Sequence, residues 1–246
     1  MSHQQQPILI SVEGNIGTGK STLLEYLKIH FNSNITIGYL EEPVNEWNKI
    51  KDKTGHTILE KYYTDQTKYG FAFQMMAYIS RLSILKAALN ERKYDIIITE
   101  RSLFTDRHVF AQMLYDDKKI EEVEYIIYLK WFDEFMSELP QTYYIYLQSN
   151  PAVSFARVNK RGRAGEVIPI GYLENCHHYH NKWLIPYMNR FKKILVLDAN
   201  GDIADNLSEW LIEIEKFIAL HRKPFFREGN TNTASDEHLH IMYNGC

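Results

Sequence analysis

Residues 12–23 read VEGNIGTGKSTL, and within them Gly14, Gly19, Lys20 and Ser21 satisfy the pattern G-x-x-x-x-G-K-[ST]. A glycine-rich turn of this spacing points successive backbone N–H groups at phosphate oxygens, Lys20 adds a point charge, and the Ser21 hydroxyl is a ligand for Mg²⁺. The flanks say what such a turn must connect. Ile8 to Val12 is an apolar run with the length of a buried parallel strand, and Leu23, Leu24, Leu27 and Phe31 recur at helical spacing. The loop therefore joins a strand to a helix whose N-terminus adds partial positive charge. The implied ligand is a nucleoside triphosphate acting as phosphoryl donor, ATP. Its candidate contacts are Gly14, Asn15, Ile16, Gly17, Thr18, Gly19, Lys20, Ser21 and Thr22. The loop names a donor and leaves the acceptor open.

Strand-like and helix-like runs alternate along the chain, the pattern of an α/β fold with a parallel sheet covered by helices on both faces. Five runs read as strands, at 8–13, 35–40, 95–99, 142–148 and 193–197. Helical patterns lie around 21–31, 70–91, 103–115, 120–137, 151–160, 171–189 and 203–220. With 246 residues, 45% of them hydrophobic, the chain fits one domain over 1–220. From His221 onward periodicity is lost, so 221–246 is expected to be a polar, flexible tail. A net charge of −3 without a long basic run argues against nucleic-acid binding. The N-terminus lacks the features of a targeting segment and no apolar stretch approaches membrane-spanning length, so the expected compartment is the cytoplasm, with no membrane partner. The cysteines Cys176 and Cys246 are too few for a disulfide framework.

In an open α/β sheet, ligands collect at the carboxyl ends of the strands. The second strand ends in Glu41-Glu42-Pro43, the third in Glu100-Arg101-Ser102, and the fourth leads through a helix into Arg157, Arg161 and Arg163. A carboxylate at such a position can accept a proton from a hydroxyl under phosphorylation, and an acidic residue there can sit near Mg²⁺. A guanidinium can neutralise oxygens between donor and acceptor, or rest in a salt bridge to Glu42. Arg157 and Arg161 are four apart and share a helical face, which suits either a solvated basic surface or a cluster closing over phosphate.

The segments GNIGTGKST, EPVNEW (Glu42 to Trp47), FQMMAYISR (Phe73 to Arg81), ERSLFTDR (Glu100 to Arg107) and RVNKRGR (Arg157 to Arg163) together resemble the successive signatures of the deoxynucleoside kinase family, in order and at similar spacing over roughly 7–220. The resemblance implies the P-loop kinase fold with a five-stranded parallel sheet and a mobile basic lid, here about 157–168. It also implies transfer of the γ-phosphoryl of ATP to the 5′-hydroxyl of a deoxynucleoside. Glu42 is then the base, with Arg101 and Lys20 as the other catalytic residues; Ser21 and Glu100 are the Mg²⁺ ligands, and Arg157, Arg161 and Arg163 the lid. Gln74 resembles the base-reading amide, bounded by Trp47, Phe73 and Phe110. Tyr63 and Glu166 would meet the sugar 3′-hydroxyl. Asp202 and Ile203 lie in the turn that resembles the clasp of the donor base. Ala77, Arg81 and Asp106 form a combination that in the family goes with deoxycytidine and purine deoxynucleosides. Tyr62 is bulky for a position lining the sugar side. A homodimer and feedback inhibition by a deoxynucleoside triphosphate are further implications of the family.

The alternatives are a thymidine-preferring or broad-specificity kinase, a nucleoside monophosphate kinase, and a catalytically silent structural subunit. Glu41 has no role in the family pattern. The run CHHYH, Cys176 to His180, has spacings that could bind zinc but resembles a family helix whose histidines hold no metal.

Overall fold

The computed structural model describes residues 6–31, 36–163, 166–191 and 193–222, the side chains of 187–191 excepted. Of the sequence expectations, the tail beyond 222, Cys246, Ile35 and lid positions 164–165 lie outside the described residues.

Strand β1 (Ile8–Gly14) is buried along nearly its whole length, as its continuous apolar run requires. Helix α1 (Lys20–His30) follows, with Leu23, Leu24 and Leu27 fully buried, each contributing about 1.5–3 kcal/mol. Then come β2 (Ile37–Leu40), the single turn α2 (Val44–Trp47), α3 (Ile58–Thr64) and the long α4 (Gln66–Glu91). Strand β3 (Ile96–Glu100) leads into α5 (Leu103–Thr105), a π-helical segment (Asp106–Ala111) and α6 (Gln112–Asp116). The remainder is α7 (Glu122–Met136), β4 (Thr142–Gln148), α8 (Pro151–Arg161), α9 (Ile170–Phe191), β5 (Ile194–Asp198) and α10 (Ile203–His221). No described helix is long and apolar enough to cross a membrane.

The sheet has the order β2–β3–β1–β4–β5 with every neighbouring pair parallel. Val12 is in register with Glu100, and Gly14 with Leu147. The carboxyl ends of β1, β3 and β4 are thus brought side by side, where a parallel α/β sheet places its ligands.

One apolar core joins the sheet to α1 and α10, through residues such as Ile10, Val12, Leu27, Ile98, Ile214 and Phe217. A second, aromatic core lies among α3, α4 and α7, built on Tyr62, Phe73, Tyr78, Tyr128 and Phe132. The first holds the phosphate loop and the second carries the walls of a cavity. Helices α2 and α3 are additions to the sequence reading, as is the earlier start of α4. A capping box at Thr57 and Glu60 starts α3, and the Asp65 side chain accepts from Lys68 N to start α4.

Candidate active site

The phosphate loop is shaped by backbone that only glycine adopts freely. Gly17 has φ +84°, and a Cβ there would stand 2.6 Å from the Ser154 carbonyl oxygen on α8. Inside the loop the Asn15 carbonyl accepts from Lys20 Nζ at 2.8 Å and from Thr18 Oγ1 at 3.0 Å. Asn15 Nδ2 donates to the Leu173 carbonyl at 2.8 Å, tying the loop to α9. Burial and the neighbouring Arg101 pull the Lys20 ammonium down to about 7, against the carboxylates around it. Ser21 and Thr22 are exposed at the first turn of α1.

Ser21 Oγ donates to Glu100 Oε1 at 2.8 Å, which joins the loop to the end of β3. A hydroxyl beside a carboxylate is a hard oxygen set of the kind Mg²⁺ uses when phosphates and water supply its other ligands. Among the described residues no group of three or more His, Cys, Asp and Glu could hold a metal unaided. The chemistry of Ser21 and Glu100 therefore fits Mg²⁺ as a companion of bound phosphate.

Four charged side chains interlock between loop and cavity. Arg81 Nη2 donates to Glu42 Oε1 at 2.8 Å and Arg81 Nε to Asp106 Oδ2 at 3.0 Å. Arg101 Nε stands 3.4 Å from the same Glu42 oxygen, and its Nη1 donates to the Gly14 carbonyl at 2.9 Å. The Arg101 guanidinium also lies 5.0 Å over the Phe110 ring. Arg101 has φ 65°, a left-handed backbone that a non-glycine residue adopts at a cost. Burial pushes the Glu42 carboxyl up, but Arg81, Arg101 and Lys20 outweigh it and hold the group at about 2. Asp106 behaves differently. It is 1% exposed and pairs with an arginine already shared with Glu42, so burial wins and raises it to about 6.

The expected Arg81–Asp106 pair and the Arg101–Glu42 bridge are both present; the Arg81–Glu42 bond is an addition. Asp106 and Phe110 reach the same cavity because the segment between them is π-helical, a distortion found mostly at functional sites.

The cavity, about 350 Å³, is lined at one end by Lys20, Ser21, Arg161 and Arg163 and at the other by Trp47, Phe73, Gln74, Ala77 and Phe110, with Glu42 and Arg101 between. Trp47 packs edge-on to Phe73 with ring centroids 5.5 Å apart, and its indole N–H donates to Ser80 Oγ at 2.9 Å. Gln74 is 1% exposed, and its Oε1 has no hydrogen-bond partner among the described residues. Tyr63 and Glu166 both line the cavity, and burial together with the Glu166 charge holds the Tyr63 phenol well above its usual range.

Glu166 accepts from Arg161 Nη2 and lies 3.8 Å from Arg163 Nη1, so these two arginines are drawn over the cavity. Arg157 is not with them. Its guanidinium donates to the Ala199 carbonyl at 2.8 Å and the Gly201 carbonyl at 2.5 Å, which ties α8 to the turn before α10. In that turn Asp202 caps α10 through Ala204 N, and Ile203 is buried beside Gly19. These three residues sit outside the cavity wall, on the far side of the phosphate loop.

Glu13 and Tyr172 went unread in the sequence. Glu13 is fully buried and accepts from Ser11 Oγ and Ser102 Oγ, each at 2.7 Å, and from Thr105 Oγ1. It thereby clamps the residues that follow Arg101. An acidic residue at the end of an otherwise apolar strand was the available signal. In the CHHYH run, His180 Nδ1 bonds to the Cys176 carbonyl at 2.6 Å and His177 Nε2 to Asn181 Nδ2 at 2.8 Å.

This geometry has counterparts among known proteins. A family model described as deoxynucleoside kinase matches residues 10–219. The chain is 34% identical to deoxycytidine kinase 2 of Gallus gallus, across 88% of this chain and 92% of that protein. It is 31% identical to the deoxycytidine kinase of Homo sapiens, across 85% and 90% of the two chains. Mitochondrial thymidine kinase 2 of Homo sapiens is 34% identical, across 74% and 66%. A parallel α/β sheet with a phosphate loop at its carboxyl edge defines the class as a P-loop kinase. Within that class, the chain belongs to the deoxynucleoside kinase family.

Proposed function

We propose that this enzyme transfers the γ-phosphoryl group of ATP to the 5′-hydroxyl of a deoxynucleoside, with deoxycytidine and purine deoxynucleosides favoured over thymidine. The observation that carries the reading is the single cavity running from Lys20 and Ser21 to Gln74 with Glu42 at its waist. In the reaction the 5′-oxygen bonds to γ-phosphorus, the bond from phosphorus to the β–γ bridging oxygen breaks, and the hydroxyl proton passes to Glu42. A carboxylate held at about 2 is a weak base. That suffices for a loose transition state, in which the proton leaves late and most of the catalysis is positioning and charge neutralisation. Arg81 and Arg101 aim the carboxylate; Arg101, Lys20, Arg161 and Arg163 supply positive charge around the transferring group. Ser21 and Glu100 would hold Mg²⁺, which when bound neutralises charge on the donor phosphates. Arg157, through the carbonyls it holds, supports the turn of Asp202 and Ile203 as a wall for the donor base.

The preference among bases rests on Arg81, Asp106 and Ala77. A buried arginine–carboxylate wall requires a base that returns hydrogen bonds, and an apolar base edge leaves it unanswered. Gln74 Oε1 and the Asp106 carboxylate are two acceptors, which an exocyclic amino group with two hydrogens can satisfy together. Tyr63 and Glu166 suit the sugar 3′-hydroxyl. The functional unit is proposed to be a cytoplasmic homodimer, inhibited by a deoxynucleoside triphosphate end product. The exposed Val123, Ile127 and Trp131 along α7, with Ile79 on α4, supply its apolar face.

The test is a panel of the purified protein with ATP and Mg²⁺ against the four deoxynucleosides and dCMP. Turnover of deoxycytidine above thymidine, with dCMP inert, is expected. Turnover of thymidine alone would remove the base assignment, and turnover of dCMP alone would remove the acceptor assignment.

A further inference from the structure

Tyr62 has no part in the chemistry above, yet it lines the same cavity. Its ring is stacked on Phe73 with centroids 4.3 Å apart and planes 19° from parallel, and the residue is 1% exposed. Its hydroxyl lies 2.9 Å from the Tyr172 hydroxyl, joining α3 to α9. The same hydroxyl is bonded to the side chain of Gln74, and Tyr172 is bonded in turn to the buried Cys176 thiol. Gln74 Oε1 has no partner among the described residues, so the amide meets Tyr62 through its nitrogen.

A phenol has one hydrogen to give. With Gln74 Nε2–H donating to Tyr62, the Tyr62 proton goes to Tyr172, and the Tyr172 proton to Cys176 Sγ. The four groups then form a head-to-tail relay in which each hydroxyl gives once and receives once. Turning the amide over would set Gln74 Oε1 against Tyr62, and a bond could form there only if every rotor in the relay reversed and the thiol, a weak donor, became its source. The relay therefore fixes which end of the amide is oxygen before a base arrives.

That choice has a chemical consequence. Cytosine and adenine offer a ring-nitrogen acceptor beside an amino donor; thymine and guanine offer a ring N–H donor beside a carbonyl acceptor. One amide orientation serves the first pair and the opposite orientation the second. We propose that Tyr62 is a specificity-determining residue, which through its hydroxyl holds Gln74 in one amide orientation and so sets the ratio between amino-edge and keto-edge deoxynucleosides. The proposal rests on the deoxynucleoside kinase reading and extends it to a residue that does not itself read the base.

The experiment measures kcat/KM for deoxycytidine and for thymidine in the wild type, Tyr62→Phe, Tyr172→Phe and the double variant. Phenylalanine keeps the stacked ring and removes only the hydroxyl. Either single variant should move the ratio between the two substrates toward unity by about five- to tenfold, the worth of one hydrogen bond. The double variant should move it no further, since both act on one relay. A purely structural role would lower both values together and leave their ratio unchanged, and that result overturns the proposal, as does independent addition of the two shifts. A wild type that turns over neither nucleoside would remove the kinase reading, and the proposal with it, and is distinguished from the other outcomes by the wild-type rates alone.

Discussion

Glu42 holds three positive side chains around one carboxylate, and the arrangement separates its charge from its geometry. Glu42→Gln keeps the shape and removes the negative charge, so kcat for nucleoside phosphorylation should fall roughly a hundred- to ten-thousand-fold. Binding of ATP, measured by calorimetry, should change little. A rate near that of the wild type would remove Glu42 from the chemistry. Lys20 makes a second prediction at the same scale. In the nucleotide-free site burial holds its ammonium at about 7, so at pH 8 most of it is neutral. Phosphate oxygens favour the charged form, so ATP binding at that pH should take up close to one proton. Titrations in two buffers of different ionisation enthalpy read the uptake directly. Lys20→Met should abolish it, and an equal heat in both buffers for the wild type would refute the assignment.

Among the elements, the π-helical segment is decisive because it seats Asp106 opposite Arg81. With Asp106 raised to about 6, the wall at the base edge loses its negative charge as the pH drops through that value. The kcat/KM for deoxycytidine should decline below pH about 6, and Asp106→Asn, slower throughout, should lack that limb. Stability moves the other way. The folded value lies above the ordinary 3.8, so between the two the folded protein binds the extra proton, and this group's contribution weakens as pH rises through the window. No sequence periodicity announces a π segment, since one extra residue in a turn leaves the apolar pattern nearly intact; the run at 103–115 read as an ordinary helix. The strands were legible because fully buried parallel strands are continuous apolar runs, and their ends led directly to Glu42, Glu100 and Arg101. The Thr57–Glu60 capping box was equally visible and passed over, because the polar residues around it offered no apolar stripe. Arg157 could not have been placed from its spacing, as its partners are the carbonyls of Ala199 and Gly201, more than forty positions away.

For the whole molecule, the apolar face of α7 is the surface on which the proposed dimer depends. Ile127→Glu with Trp131→Glu should give a folded monomer by sedimentation, with far-ultraviolet circular dichroism unchanged; a wild type that is monomeric at micromolar concentration would remove the dimer. A last consequence concerns the balance between durability and activity. Arg101 stands at φ 65° at the edge of β3, in a conformation that favours glycine over every side chain. Arg101→Ala and Arg101→Gly both abolish the guanidinium, but only glycine releases the backbone. The glycine variant should therefore melt above the alanine variant, by the equivalent of about 1 kcal/mol, while both are equally inactive. At this position the protein is less stable than its own fold permits, and the difference is what keeps a guanidinium pointed at Gly14 and Glu42.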